Sequence, residues 1–257
     1  MTDTRRRGLV ATMRDRFIRL ATTTSFVALA SCGDGGADPP GIPNVAGDAI
    51  GATHSGQYHL GPVDFAETAY HNACAPYPNA IEAITGNMIA GVSNTVAEPG
   101  SYCDACIEVT TGQGRSAILR VVTYGVSNAD GDLDLSPAAY DLLHAGEYPR
   151  AMSWHLVECD NGEPISLQFQ TGANVWWTSL WVRNPSQAIA RVDVRNAKYA
   201  SYHQLSLGTD GTYTDANGFG DGPFTIRVTG ESGATYETEV AGVMPGALIE
   251  TDGNLPF

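Results

Sequence analysis

The chain has 257 residues, with 28 Asp and Glu against 14 Lys and Arg for a net charge of −14; 43% are hydrophobic and 16% charged. This is a globular but acidic composition, so it excludes nucleic acid as a partner and disfavours acidic polysaccharides and anionic membrane surfaces. A neutral ligand is indifferent to the charge.

Residues 1–31 stand apart from the rest. Arg5, Arg6, Arg7, Arg14, Arg16 and Arg19 precede a mostly uncharged Leu20 to Ala30. That is a charged n-region and an h-region too short to span a bilayer, and the length of the n-region points to Met13 as the start. Leu29-Ala30-Ser31-Cys32 resembles the bacterial lipobox. It implies an exported outer-membrane or cell-surface lipoprotein, held to the membrane only through a lipid on Cys32; a plain secretory peptide cut nearby is the alternative. Loss of residues 1–31, with six Arg and two Asp, leaves 8 basic and 26 acidic residues and a net charge of −18. Residues 32–48, mostly Gly, Asp, Pro and Ala, read as a flexible tether with little to bury.

Residues 49–160 carry short β runs at Gln57 to Leu60, Cys106 to Thr111, Ala117 to Thr123 and Ser153 to Val157, separated by Gly and polar turns. Pro137 to Ala145 reads as a helix, with Ser136 as N-cap, Pro137 in the first helical position and Gly146 as the stop. A further helical turn is expected around Ala80 to Ile84. This is a compact, mostly β domain, read as a small barrel. Within it, Leu133-Asp134-Leu135 has two leucines on one face of an extended strand and the carboxylate on the other. The ordinary alternative for Asp134 is a turn carboxylate two residues before the helix cap.

Beyond Cys32 the chain has four cysteines, Cys74, Cys103, Cys106 and Cys159. An even count in an exported chain points to two disulfides. The Cys103-x-x-Cys106 spacing also occurs in zinc knuckles and redox pairs. Zinc would need His71 with Cys74 as its other ligand pair, and a redox motif should open a helix rather than the strand-like Ile107 to Thr110.

Residues 161–257 contain strand-like runs at Ile165 to Gln170, Trp176 to Arg183, Ala188 to Val194, Tyr202 to Leu207, Phe224 to Thr229, Thr235 to Val240 and Leu248 to Ile249. Many short strands without a helix read as a β-sandwich. The short connection Asp160-Asn161-Gly162 calls for the two domains to pack together. Neighbours in a strand face opposite ways, so Trp176 and Trp177 share one surface only if the strand begins irregularly, which Gly172-Ala173-Asn174 allows.

Four motifs in order resemble those of expansins. Gly100-Ser101-Tyr102-Cys103-Asp104-Ala105-Cys106-Ile107-Glu108-Val109 resembles their G-x-x-C-x-x-C-F-E segment. Leu133-Asp134-Leu135-Ser136 with Ala139-Tyr140 resembles F/L-D-L-S…A-F. Trp154-His155-Leu156-Val157-Glu158-Cys159 resembles W-R-x-V-x-C, and Val175-Trp176-Trp177 with Val182-Arg183-Asn184 resembles the tryptophan pair and V-R-N strand of the bacterial members. The resemblance covers residues 50–257. It implies an all-β chain: a six-stranded double-psi β-barrel packed against an immunoglobulin-like, carbohydrate-binding β-sandwich, with disulfides Cys74–Cys103 and Cys106–Cys159. It also implies non-hydrolytic loosening of cellulose-rich plant cell walls. Asp134 then matches the essential acid of the barrel cleft, and Trp176, Trp177 and Tyr213 form a flat strip on which sugar rings stack. Phe219 is the alternative third member and Trp181 an extension of the strip.

Two positions depart from the family pattern. Thr123-Tyr124 stands where a Thr-Asp pair is usual, and His59 occupies the place of a threonine facing the cleft. Asp130 and Asp132 either lean in from the loop or are solvated loop acids. Canonical glycoside hydrolysis needs two carboxylates, and one alone can grip a glucan without cutting it. The expected partner is cellulose or another neutral β-glucan, with xylan and peptidoglycan as further ligands, bound by a monomer with no cofactor and no metal. The rival readings are a β-1,4-glucan endoglucanase or lytic transglycosylase with Asp134 as acid, and a surface polysaccharide-binding lipoprotein with no remodelling activity.

Overall fold

The first half forms six strands: β1 (Ile50–Leu60), β2 (Ile89–Val92), β3 (Cys106–Thr111), β4 (Ser116–Tyr124), β5 (Leu133–Leu135) and β6 (Ala151–Val157). They close into a barrel in the order β1-β5-β2-β4-β3-β6, with β1/β5 and β2/β4 parallel and the remaining pairs antiparallel. This computed structural model describes residues 48–61, 63, 72–78, 81, 83, 85–125 and 129–256. The expected signal peptide, the lipid site at Cys32 and the tether up to residue 47 lie outside the described residues.

Tyr58, Ile107, Val109, Leu119, Val121, Leu133, Leu135 and Trp154 fill the barrel. Two strands differ from the expectation. β1 starts at Ile50, because polar and glycine residues before Gln57 still pair with β6 across a register shift. β2, Ile-Ala-Gly-Val, is buried throughout, so it has no alternation to betray it. The helix α1 (Pro137–Leu143) begins as expected: Ser136 Oγ accepts from the Ala139 N–H at 3.3 Å and donates to the Asn87 carbonyl at 2.6 Å.

The second half forms β7 (Ser166–Phe169), β8 (Thr178–Arg183), β9 (Ile189–Arg195), β10 (His203–Gln204), β11 (Ser206–Leu207), β12 (Tyr213–Asp215), β13 (Phe224–Gly230), β14 (Thr235–Val240) and β15 (Leu248–Glu250). Sheets β10-β9-β13-β14 and β11-β12-β8-β7-β15 enclose one core that includes Leu167, Phe169, Leu180, Val182, Val192, Val194, Phe224, Ile226 and Val228. The single run expected over Tyr202 to Leu207 is two strands, β10 in one sheet and β11 in the other. The chain changes sheets at Leu205, which is buried between them.

Barrel and sandwich meet over a buried polar cluster. Arg183, at the end of β8, is fully buried; its Nη1 donates to Asp104 Oδ2 at 2.6 Å and its Nη2 to the carbonyls of Cys74 (3.0 Å) and Pro76 (2.8 Å). Arg120 Nη2 donates to Asn184 Oδ1 at 3.1 Å, binding the same seam from the barrel side. Disulfides Cys74–Cys103 and Cys106–Cys159 flank it, with the pairing that the resemblance implied.

Candidate functional site

β5 is three residues long and is anchored by its leucines. Leu133 and Leu135 are fully buried, each worth about 1.5–3 kcal/mol, so Asp134 must point the other way. It is half-buried, between His59 of β1 and Gly91 of β2, its register partners on either side. Partial burial raises the Asp134 pKa; the nearby His59 opposes that rise and Asp132 reinforces it.

Asp132 is held beside Asp134 and His59 as a built element. It is 8% exposed, its Oδ1 accepts from the Gln57 N–H at 2.7 Å, and its Oδ2 lies 3.3 Å from His59 Nε2. The loop carrying it presses on β1 at two glycines. A Cβ on Gly56 would stand 2.6 Å from Asp132 Oδ1, and one on Gly131, at φ +79°, would stand 2.4 Å from the Ser55 carbonyl. Trp154 Nε1 donates to the Gly131 carbonyl at 2.8 Å and fixes the loop from inside the barrel.

Thr123, in register with Gly91 and so on the same sheet face as Asp134 one strand further, and Tyr124 each have a hydrogen-bond partner of their own. Thr123 is buried and its Oγ1 accepts from the Ala73 N–H at 2.9 Å. Tyr124 packs against the barrel core, and its hydroxyl donates to the Thr209 carbonyl of the sandwich. A phenol is long enough to cross to the neighbouring loop, where the shorter Asp side chain would have stayed.

At the far end of β8 the tryptophan pair begins with an irregular turn. Asn174 Oδ1 accepts from the N–H groups of both Trp176 (2.9 Å) and Trp177 (3.1 Å), while the Asn174 N–H donates to the Trp177 carbonyl at 2.7 Å. Trp176 therefore sits at the tip of a tight turn, 78% exposed, and Trp177 is half-buried at its base. Tyr213 is not the third member of the strip. It pairs with Leu180 in register, shares that residue's inward face, and is 6% exposed in the sandwich core. Phe219 is fully buried and Trp181 is 6% exposed, with its Nε1 donating to the Asp210 carbonyl at 2.9 Å, so neither of the alternatives extends the strip.

In sequence the chain is 24% identical over 173 residues to "Expansin-like protein 3" of Dictyostelium discoideum, a match covering 65% of this chain and 51% of that protein's length. No protein-family model matches. The crystal structure of apo Clavibacter michiganensis expansin superposes with a TM-score of 0.67 at 22% identity, covering 79% of this chain and 98% of that one. The chain shares the fold of the Clavibacter expansin. A point variant of the Clavibacter expansin in complex with cellohexaose matches to the same extent, with a TM-score of 0.66. In this chain His59 stands in register with Asp134 across the β1–β5 pair, and Asp132 is held against His59. Sequence reasoning left Asp132 among the loop acids; the signal was its two-residue spacing from Asp134, with glycines at Gly56 and Gly131.

Proposed function

We propose that the chain binds neutral β-1,4-glucan of the cellulose type and loosens it without cutting it. The observation that carries this is the pairing, on one expansin-like scaffold, of a half-buried acid in a barrel groove with an exposed tryptophan turn. Indole faces bury the apolar C–H faces of pyranose rings, a contact that needs few hydrogen bonds and ignores the acidic net charge. Asp134 supplies one directed polar contact. Asp132 already accepts from the Gln57 N–H and holds His59, which supports, among the described residues, a site where Asp134 is the acid left to a ligand and hence grip in place of hydrolysis. Two disulfides fit an oxidising compartment and an exported protein.

Pull-down on cellulose, xylan and peptidoglycan, run beside an assay for reducing sugar, tests the proposal. Retention on cellulose with no sugar release, and loss of extension of a cellulose-rich wall in Asp134→Ala, is the expected result. Sugar released by the wild type and abolished in Asp134→Ala would instead make it a glycosidase. Retention lost in Trp177→Ala, with no phenotype for Asp134→Ala, would reduce it to an adhesin.

A further inference from the structure

We propose that His59 is a glycan-binding residue of the groove, and that Asp132 is the positioning residue that sets its tautomer; the inference rests on the glucan reading above. A carboxylate accepts hydrogen bonds and cannot donate them when ionised. The His59 nitrogen facing Asp132 Oδ2, Nε2 at 3.3 Å, therefore carries a proton, and in the neutral ring Nδ1 keeps its lone pair. Nδ1 has no hydrogen-bond partner among the described residues, and the side chain is 36% exposed. What remains is a fixed acceptor opening onto the groove, one strand across from Asp134.

The arrangement is built and not incidental. The Gln57 N–H holds Asp132 Oδ1 at 2.7 Å, so the carboxylate cannot rotate away from His59 without losing a backbone hydrogen bond. The tight approaches at Gly56 and Gly131 exist only because those residues lack a Cβ. The ligand class follows from the chemistry. A lone-pair nitrogen seeks a hydroxyl donor, and carboxylates at Asp132 and Asp134 repel an anion. A neutral polyol chain with adjacent hydroxyls satisfies both: His59 Nδ1 accepts from one hydroxyl while the Asp134 carboxylate accepts from the next.

The test uses the full chain, cellohexaose as probe, and the ring-nitrogen NMR signals of His59. In the wild type, Nε2 should be protonated and Nδ1 bare. In Asp132→Asn, the amide oxygen stays on the Gln57 N–H and the amide nitrogen turns its hydrogens toward Nε2. The proton should then move to Nδ1, and cellohexaose affinity should fall roughly five- to tenfold, the worth of one neutral hydrogen bond. His59→Phe keeps the ring and should lose about as much. His59→Gln, with a donor for Asp132 and an acceptor for the sugar, should restore most of it. An unchanged tautomer in Asp132→Asn, or full affinity in His59→Phe, would overturn the assignment. Cellulose retention lost in Trp177→Ala but cellohexaose binding untouched by His59→Phe would sink the His59 proposal alone; a wild type that binds neither would sink the glucan reading with it.

Discussion

The groove at Asp134 and the turn at Trp176 solve opposite problems. Around Asp134 the neighbouring polar side chains already have partners: Asp132 with Gln57 and His59, Thr123 with Ala73, Tyr124 with Thr209. At the turn it is the backbone that is satisfied, through Asn174, and the apolar surface that is left without cover. The difference separates direction from area. On the proposed reading, a few held polar atoms fix how a glucan chain lies, while the tryptophan turn supplies the apolar contact that keeps it there.

The two regions act on one polymer only if the seam between them is firm, and the largest expected effect lies there. Asp104 and Arg183 are 2% and 0% exposed at the side chain. Asp104→Ala removes the carboxylate shared by the buried guanidiniums of Arg183, at 2.6 Å, and Arg120, at 3.6 Å, and should lower unfolding free energy by about 3–5 kcal/mol in a urea titration. A loss near zero would mean that the seam contributes little to the fold. Second in size is Tyr213→Ala, expected to cost about 3 kcal/mol of stability because it opens a cavity in the sandwich core. Its cellulose retention, measured on the folded fraction, should stay at the wild-type level. Loss of retention without loss of stability would return Tyr213 to the surface strip.

Trp176→Ala sharpens the contrast from the other side. An indole 78% exposed should change stability by no more than about 0.5 kcal/mol, yet cellulose affinity should drop about tenfold. Trp177→Ala should match that drop in binding and add a measurable loss in thermal midpoint, since its ring lies over Gly172, 3.9 Å from a Cβ built there.

The architecture was legible wherever a rule of period two had room to operate. Leu133 and Leu135 face inward and Asp134 outward as their spacing requires, and Ser136 caps the helix that Pro137 begins. Legibility ended where tertiary contact overrides local pattern. Nothing in Ile-Ala-Gly-Val marks β2, and nothing in Tyr202 to Leu207 marks the crossing from one sheet to the other. The same limit governed the site. A Tyr in a Gly-rich stretch has no local sign of whether its ring turns in or out; the pairing of Tyr213 with Leu180 decides it. Asp132 looked like a solvated acid because the glycines that admit it to β1 lie 76 positions earlier, at Gly56, and beside it, at Gly131.

The smallest effect concerns Asp134 itself, and its sign carries the information. Burial raises its pKa above the ordinary 3.8, so the folded state disfavours the carboxylate relative to the unfolded chain. A raised value contributes stability below about 3.8 and loses it as pH rises through the folded value. Asp134→Asn, which is neutral at every pH, should therefore be the more stable protein at pH 7. Because the group is half-exposed, the gain should stay below about 1 kcal/mol. The difference should close as the pH falls toward 3 and the wild-type carboxyl is protonated in both states, which thermal melts across that range would record. The opposite sign at neutral pH would mean that attraction from a cationic His59 outweighs burial. Nδ1 would then bear a proton, and the groove would present a donor where an acceptor is expected.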